Sequence, residues 1–423
     1  MLATSRLKDK LFYGWVVAGT FAVIGTTILG TRVSFGVFFK SIESEFSLTR
    51  AATSTVVSMY MLFGCVFAFL GGWALDRYGP RIVTLFTGLF TGLSLVLTSQ
   101  TSSPWQLFIT YSLLLAIGSA PLYVVITSVI SRWFDKKRGV ALGIGLSGGG
   151  LGMIFLPPFA TFLISNFDWR MAYIIIGVIT WLIVIPLSRL LRKDPHEIGT
   201  LPDGVKKDSV NGRRQKPKIE EVGIQQTSLS LSQAFRTRSF WLFICVWLLQ
   251  GSSVFLISTH LVPHATDIGI SAVEAATILS LVGFISIPAR LIVGAVSDRI
   301  DRKVTAMICA LLQAGATAWL IWAQELWMFY LFALVFGFAF GGFPIAIGAM
   351  AGGTFGLDKL GIILGLLIVG YNIGGAIGPF IGGLIFDVSQ SYFLAFSWGA
   401  AVMLLATLLI ALIRRETNRN FAG

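Results

Sequence analysis

Residues 72–81 read GWALDRYGPR and residues 294–303 read GAVSDRIDRK, so one short pattern occurs twice in the chain. Each copy has a glycine, an Asp-Arg pair that begins four residues later, and a basic residue at its end. Each copy also lies at the end of the second long apolar segment of its half of the chain. Because the two copies are about half the chain apart, they predict two structural repeats.

Long apolar segments surround both copies of the pattern. They contain about 20 residues each, the length that crosses the ~30 Å hydrocarbon core of a bilayer. In lipid, each segment must satisfy its own backbone hydrogen bonds, so each is predicted to be a helix. The twelve predicted helices lie at residues 12–40, 51–74, 82–99, 105–131, 139–164, 171–189, 239–262, 272–296, 304–323, 326–352, 359–386 and 392–413. We therefore expect an all-α protein with twelve transmembrane helices, whose partner is the lipid bilayer.

The composition and the placement of basic residues agree with this topology. Hydrophobic residues make up 55% of the chain and charged residues 12%, about half the charged fraction of an average soluble domain. If both termini lie in the cytoplasm, nearly all of the 32 Lys and Arg residues fall on that side, as the positive-inside rule requires. The exceptions are Lys40, Arg50 and Arg170 in loops of the other side, and Arg32 and Arg290 within predicted helices.

Residues 190–238 form the one long polar stretch between predicted helices. This stretch is rich in Lys and Arg, and its Asp-Pro and Pro-Asp-Gly sequences are typical of exposed loops. It divides the chain into an N-terminal six-helix bundle (1–189), a cytoplasmic linker (190–238) and a C-terminal six-helix bundle (239–423).

Several other classes of protein are disfavoured by the sequence. The net charge of +12 is scattered over helix ends rather than gathered on one face, so no nucleic acid is expected as a partner. Cys65, Cys245 and Cys309 all lie in apolar runs, and we expect buried free thiols rather than a disulfide framework or a metal site. The chain also lacks a zinc-type His/Glu cluster, a G-x-S-x-G elbow and a phosphate-binding glycine loop. We therefore expect neither an enzyme nor a cofactor.

The two copies of the repeated pattern resemble the loop signature of the major facilitator superfamily, which lies between the second and third helices of each half. The resemblance implies two pseudo-symmetric six-helix bundles with both termini in the cytoplasm. Charge-assisted pairs at such helix ends can join neighbouring helices. We expect a cytoplasmic gate at five residues, which are Asp76, Arg77, Arg81, Asp298 and Arg299.

A narrower resemblance rests on four further stretches. These are FYGW at 12–15, WFDKKRGVALG at 133–143, PDG at 202–204 and FG at 355–356. Together they resemble the branch that contains the monocarboxylate transporters and the oxalate/formate antiporter, over essentially the whole chain. The resemblance implies a carrier of small carboxylates in a cell membrane, and we expect the bacterial inner membrane and a monomer.

Arg290 is the first candidate for binding the substrate. It lies midway along a predicted helix, where a cation costs roughly 2.5 to 3.5 kcal/mol by insertion scales. The family resemblance implies that this arginine holds the substrate carboxylate, for which a guanidinium is well suited. A structural salt bridge is the alternative.

Ser286 marks a departure from the animal transporters, which carry an aspartate four residues before this arginine. The substitution removes the obvious proton-carrying carboxylate, although Ser286 itself remains a candidate for contacting the substrate. His260 and His264 are the remaining candidates for proton coupling, since histidine titrates near neutral pH. Polar anchoring at the membrane interface is the alternative for both.

Four more polar residues in apolar runs complete the candidate substrate site. Arg32 either reaches inward to the anion or extends to the outer headgroups. Tyr123, Tyr371 and Asn372 have groups suited to hydrogen-bonding a carboxylate or hydroxyl. The oxalate exchanger has a second cation, a lysine, in helix eleven, whereas Lys359 here belongs to the preceding loop. A monoanion is favoured with one central cation, and Arg32 keeps dicarboxylates open.

The sequence therefore predicts a secondary active transporter of small monocarboxylates such as lactate or pyruvate, coupled to H+ by symport. The alternative is a carboxylate anion exchanger of the oxalate/formate type. A membrane sensor that keeps the fold without transport is a third possibility, which a flux measurement separates. Drug efflux is disfavoured, because a central arginine has the wrong sign for cationic drugs.

Overall fold

The computed structural model describes residues 12–135, 137–204, 231–355 and 360–413. Within these ranges every regular element is a helix. The α-helices are α1 (Tyr13–Val33), α2 (Phe35–Glu45), α3 (Arg50–Thr98), α4 (Pro104–Leu107), α5 (Leu115–Ser119), α6 (Pro121–Trp133), α7 (Arg138–Asn166), α8 (Trp169–Ser188), α9 (Leu231–Arg236), α10 (Arg238–Asp267), α11 (Ala272–Arg299), α12 (Arg302–Trp319), α13 (Leu326–Phe355), α14 (Leu360–Ser389) and α15 (Phe393–Leu412). A π-helical segment at Phe108–Leu114 joins α4 to α5, and short 3-10 helices lie at Pro195–Ile198 and Pro202–Gly204.

Polar caps fix where several helices begin. The side chains of Thr49 and Asp168 each accept a hydrogen bond from a backbone N–H in the first turn of α3 and α8. Ser271 and Glu274 form a reciprocal capping box at the start of α11. Such caps satisfy backbone donors that have no partner within the helix. The apolar segments therefore start as helices directly after their short polar loops.

The long helix α3 contains the break that separates two predicted helices. Gly79 has φ 78° and ψ 169°, and Pro80 follows it. A positive φ is costly for residues with a side chain but not for glycine. Gly79 lies in the first copy of the repeated pattern, which explains why a glycine follows the Asp-Arg pair there.

Ten helical stretches of the described chain are long and apolar enough to cross a membrane, compared with the twelve predicted. The difference has two causes. The 49-residue helix α3 counts once although it covers two predicted helices. The helix α12 begins with Arg302 and Lys303, which lower its mean hydropathy, and it is not among the ten stretches.

Helices pack closely where glycines face each other. A Cβ on Gly152 of α7 would lie 2.6 Å from the Cα of Gly30 in α1. A Cβ on Gly374 or Gly378 of α14 would overlap backbone carbonyl oxygens of α10. Small residues at helix contacts are the usual means of close approach in membrane proteins. These glycines therefore bring α1 to α7 and α10 to α14.

Contacts between the two parts of the chain define the place of the site. We call the described residues before 190 the N-half and those after 238 the C-half. The N-half helices α2, α3 and α7 contact the C-half helices α10, α14 and α11, respectively. We call the end of the bundle that holds Arg50 and Asp267 the outer end, and the opposite end, which holds Asp76 and Arg132, the inner end.

The three cysteines are free thiols. Cys309 is buried and Cys65 is half-buried, whereas Cys245 is exposed on the surface of the bundle. The expectation that all three are buried is therefore wrong for Cys245. A lipid-facing thiol explains this position, because an apolar run in a membrane helix presents one side to lipid.

Candidate functional site

Arg32 lies in the last turn of α1 and points between the two halves. Its Nη2 donates to Oδ1 of Asn372 at 3.2 Å and lies 3.1 Å from the sulfur of Met61. Its guanidinium carbon is 4.8 Å from the ring centroid of Phe255 and 5.8 Å from that of Tyr60. The structure thus settles the direction of this side chain, which reaches inward rather than to the headgroups.

The Nε–H of Arg32 is buried without a hydrogen-bond partner in the described structure. No salt bridge joins Arg32 to a carboxylate among the described residues. An unpaired donor on a charged group costs free energy in a medium of low dielectric constant. Arg32 is therefore a cation with an N–H donor that is available to a ligand.

Arg290 lies within the apolar span of α11, in the part nearer its C-terminal, inner end. Its Nη1 donates to the backbone carbonyl of Leu146 in α7 at 3.2 Å, so it also reaches across the two halves. The side chain is half-buried, and no carboxylate forms a salt bridge with it within the described ranges. The structural salt bridge considered as an alternative is thus not seen here.

Two tyrosines lie near the two arginines. Tyr123 of α6 lies within electrostatic range of Arg290, and Tyr371 of α14 lies within electrostatic range of both Arg32 and Tyr123. The Tyr371 ring packs against Phe255 with ring centroids 5.6 Å apart. Tyr123 is 40% exposed, so part of its side chain is accessible. The structure therefore brings five predicted residues into one central group, which are Arg32, Tyr123, Arg290, Tyr371 and Asn372.

Ser286 does not share the surroundings of Arg290. Its side chain is fully buried, and its hydroxyl donates to the carbonyl of Gly283 in the same helix at 2.8 Å. The backbone of α13 lies against it at Gly341, where a Cβ would collide with Ser286. In this conformation Ser286 supports the packing of α11 on α13.

His260 and His264 lie near the outer end of α10, apart from the central group. His260 is fully buried, with Nδ1 3.1 Å from the hydroxyl of Tyr392 and Nε2 2.9 Å from the carbonyl oxygen of Pro379. His264 packs against Tyr392 and Phe396 with ring centroids 5.3 Å and 5.0 Å apart. Both histidines therefore contact the same residue of the outer end.

The sequence did not reveal that Arg50 at the outer end contacts several charged and aromatic residues. Its Nη1 and Nη2 donate to Asp267 at 2.6 Å and 3.1 Å, and Nη1 also donates to the hydroxyl of Tyr392 at 2.7 Å. Its Nε donates to Glu43 at 3.3 Å, and its guanidinium carbon lies 3.7 Å from the ring centroid of Phe386. Every one of these partners except Glu43 belongs to the C-half.

Asp387 adds a second connection at the same place. Its two carboxylate oxygens accept hydrogen bonds from the backbone N–H groups of Arg50 and Ala51, each at 2.9 Å. These N–H groups belong to the first turn of α3, so an acid of α14 caps a helix of the other half. Lys40 of α2 also lies 2.6 Å from Asp267. The charged helix ends were visible in the sequence, but their pairing was not.

The inner end holds the predicted gate residues, with different partners from those expected. Asp76 pairs with Arg132 of α6 at 2.9 Å, while its neighbour Arg77 lies beside the rings of Trp73 and Tyr78. Asp76 pairs with a residue of another helix, α6, rather than with its neighbour Arg77, because consecutive residues of a helix point in different directions.

The rest of the predicted gate forms no lock between the halves that the structure describes. Arg81 donates through Nε to the carbonyl of Leu191, just beyond α8, at 2.7 Å, so this contact does not reach the C-half. Arg299 is exposed. The side chain of Asp298 lies outside the part of the chain that the structure describes.

Comparison with known proteins adds independent information. The profile of the Major Facilitator Superfamily matches residues 16–324 and again residues 261–422. Among curated proteins, Monocarboxylate transporter 12-B of Danio rerio is 26% identical over 428 residues, which cover 96% of this chain and 89% of that protein. Monocarboxylate transporter 12 of Homo sapiens is 27% identical, covering 97% of this chain and 83% of that protein.

The fold also resembles that of a solved transporter. A bacterial homologue of the human lysosomal transporter Spinster, in an inward-facing and unoccupied conformation, superposes with a TM-score of 0.71 at 16% identity. The match covers 95% of each chain. Together, the profile, the relatives and the long apolar helices identify a multi-pass membrane protein. The chain belongs to the Major Facilitator Superfamily of transporters.

Proposed function

We propose that this protein is a secondary active transporter that carries small carboxylate anions across a cell membrane by alternating access. The two bundles at 1–189 and 239–423, joined by the linker 190–238, rock about a central site. In this proposal the inner end faces the cytoplasm together with both termini, and the membrane is the bacterial inner membrane. The protein acts as a monomer.

The proposal includes twelve membrane spans. Counting the two parts of α3 on either side of Gly79 separately and adding α12 brings the ten apolar stretches to twelve. An even number of spans places both termini on one side of the membrane. The excess of Lys and Arg in the linker supports the cytoplasm as that side.

The observation that carries the anion site is Arg290, a cation within an apolar helix that no acid of the described ranges pairs with. A guanidinium has five N–H donors, and the bond to Leu146 occupies one of them. A cation at this depth is normally paired or functional. A substrate carboxylate would supply the missing negative charge and accept two parallel hydrogen bonds.

A monocarboxylate such as lactate or pyruvate, carried with H+, is the leading candidate substrate. The names of the relatives support the monocarboxylate. No acid pairs with Arg290 among the described residues, so this proposal places proton coupling at other groups. His260 and His264 remain the candidates for that role in this proposal. Tyr123, Tyr371 and Asn372 would then orient the bound anion.

A second candidate, exchange of dicarboxylates, is favoured by the inward direction of Arg32. Two arginines in one central group, with Tyr371 and Tyr123 near them, give the site two positive charges. A short dianion would balance both, and such a site can exchange one anion for another without a proton.

The test is uptake of labelled lactate, pyruvate and oxalate into liposomes that contain the purified protein, with and without an inward proton gradient. Arg290→Lys keeps the charge but loses the two-pronged geometry, and it should reduce uptake about 10-fold to 100-fold, since hydrogen bonds to charged groups are worth roughly 1.5 to 3 kcal/mol. Arg189→Lys, an exposed arginine at the end of α8, is the matched control and should transport normally.

The outcomes separate the candidates. Uptake driven by the proton gradient identifies the monocarboxylate symporter. Uptake that does not depend on the proton gradient but rises with oxalate inside the liposomes identifies the exchanger. Binding without any flux would make the protein a sensor, and normal flux in Arg290→Lys would refute the role of Arg290.

A further inference from the structure

The outer end contains charged and polar groups that the carboxylate site does not use. Arg50 of the N-half is bound there by Asp267 of α10 and by Tyr392 at the start of α15. Asp387 of α14 binds the backbone next to it. Three C-half segments thus converge on the first turn of one N-half helix.

Burial makes these contacts stronger than ordinary surface ion pairs. Arg50 is only 7% exposed, and its guanidinium is covered on one side by the ring of Phe386. A buried charge that keeps all its partners is stable, whereas loss of one partner leaves an uncompensated charge. The contacts of Arg50 with the C-half are therefore made or broken together, while Glu43 stays with Arg50 in the N-half.

Asp387 uses a different kind of interaction from Asp267. It binds two backbone N–H groups of the first turn of α3 rather than a side chain. These groups carry the partial positive charge of the helix N-terminus, which favours an anion. When the outer end separates, α3 would lose this cap to water, so Asp387 adds a cost to opening that does not depend on Arg50's side chain.

The network continues inward through uncharged groups. Tyr392 accepts a hydrogen bond from Arg50 and can donate its own proton to Nδ1 of His260. His260 in turn can donate from Nε2 to the carbonyl of Pro379, with the hydroxyl of Ser54 3.3 Å away. Each member has a consistent donor and acceptor role when His260 is neutral. One continuous chain of hydrogen bonds thus runs from Asp267 to Pro379 at the closed outer end.

We propose that Arg50, Asp267 and Asp387, supported by Tyr392, form a latch that holds the outer end closed and sets the balance between the inward-open and outward-open states. The latch must open each time the central site is presented to the outer side. This inference goes beyond the proposed function, because no substrate takes part in it. It assigns a role to residues that neither the anion site nor the repeated pattern uses.

Cys65 provides a reporter that the chain already contains. Its sulfur lies on α3 between the halves, 4.0 Å from the carbonyl of Val369 in α14. A membrane-impermeant thiol reagent added at the outer side should reach Cys65 only after the latch opens. Cys245→Ser and Cys309→Ala remove the other two thiols, so that all labelling reports on Cys65.

In this background, Asp267→Asn and Asp387→Asn should each increase the rate at which Cys65 is labelled from the outer side about 10-fold, the change in an equilibrium constant that ~1.4 kcal/mol produces. Asp168→Asn is the matched control. Asp168 is also an outer-end aspartate that caps a helix, but it accepts from Met171 within its own half. Its substitution should leave the labelling rate unchanged.

Lys40→Gln keeps the test decisive if either latch variant fails to fold. It removes only the partly exposed partner of Asp267, and it should raise the labelling rate by a smaller factor, about 2-fold to 3-fold. Unchanged labelling in every folded latch variant, or an equal increase in Asp168→Asn, would overturn the latch. Because labelling needs no substrate, a latch that responds in a protein that moves no carboxylate would refute the proposed function alone.

Discussion

The arginine at the outer end differs from the arginines at the centre of the bundle in what compensates its charge. Arg50 is bound by Asp267 on two nitrogens and lies near Glu43. Arg32 and Arg290 are bound by a side-chain amide and a backbone carbonyl, respectively, and both are near tyrosines. A paired arginine contributes to the structure, whereas an unpaired arginine at membrane depth has free capacity for a ligand. The same residue type thus has two roles, which charge pairing distinguishes.

The largest expected effect is on stability, and substitution should lower stability at the outer end but not at the centre. Arg50→Gln should lower the free energy of unfolding by about 2 kcal/mol, because it removes the charge-assisted hydrogen bonds from the buried Arg50 to Asp267. Arg290→Gln should leave stability unchanged or raise it, because it removes a cation that no acid in the described part of the chain pairs with. Thermal unfolding of both variants in the same detergent measures the difference. Equal destabilisation by the two substitutions would contradict the distinction.

A smaller effect should follow from making the centre resemble the outer end. Asn372→Asp places a carboxylate where an amide now lies 3.2 Å from Arg32, so Arg32 becomes paired. Oxalate uptake should then fall roughly 10-fold, since a charge-assisted bond is worth about 1.5 kcal/mol or more, while lactate uptake should fall less. Asn372→Ala is the control, because it removes the amide without adding a charge. Equal loss for both anions in Asn372→Asp would mean that Arg32 does not serve as a second anion site.

The smallest effect is expected at the inner end. The side chain of Asp76 is 73% exposed, so its pair with Arg132 is a surface salt bridge, which is worth less than about 1 kcal/mol. Asp76→Asn should therefore change the midpoint of thermal unfolding much less than Asp267→Asn does. A loss of stability as large as that of Asp267→Asn would show that the inner pair is as important to this conformation as the latch.

Much of the fold follows from local properties of the sequence. Apolar length predicted the helices, and the Gly79 break falls between two of them as the loop pattern suggested. The number of stretches that satisfy the criteria for a membrane span differs, because the chain remains helical across the break and because Arg302 and Lys303 belong to α12. Helix existence is a local property, whereas a helix boundary depends on what surrounds it.

The site was predictable in part. Arg290 and Arg32 were identified because a charge inside an apolar run is conspicuous, and the direction of Arg32 required the structure. The latch was not predictable, because Arg50 lies 217 residues from Asp267 and 337 residues from Asp387. A single sequence shows charges at the ends of helices but not which of them meet. Ser286 illustrates the reverse case, since its helical position suggested a role beside Arg290 and its hydroxyl instead binds Gly283.

The most direct test of the central claim, that the unpaired Arg290 binds the substrate carboxylate, is ligand-dependent thermal stabilisation of the purified protein. A ligand that binds only the folded state raises the unfolding midpoint as its concentration exceeds its Kd. Lactate, pyruvate or oxalate should stabilise the unaltered protein and Arg189→Lys, and the same anion should give little or no shift in Arg290→Lys. An equal shift in Arg290→Lys, or no shift with any carboxylate in the unaltered protein, would contradict the account.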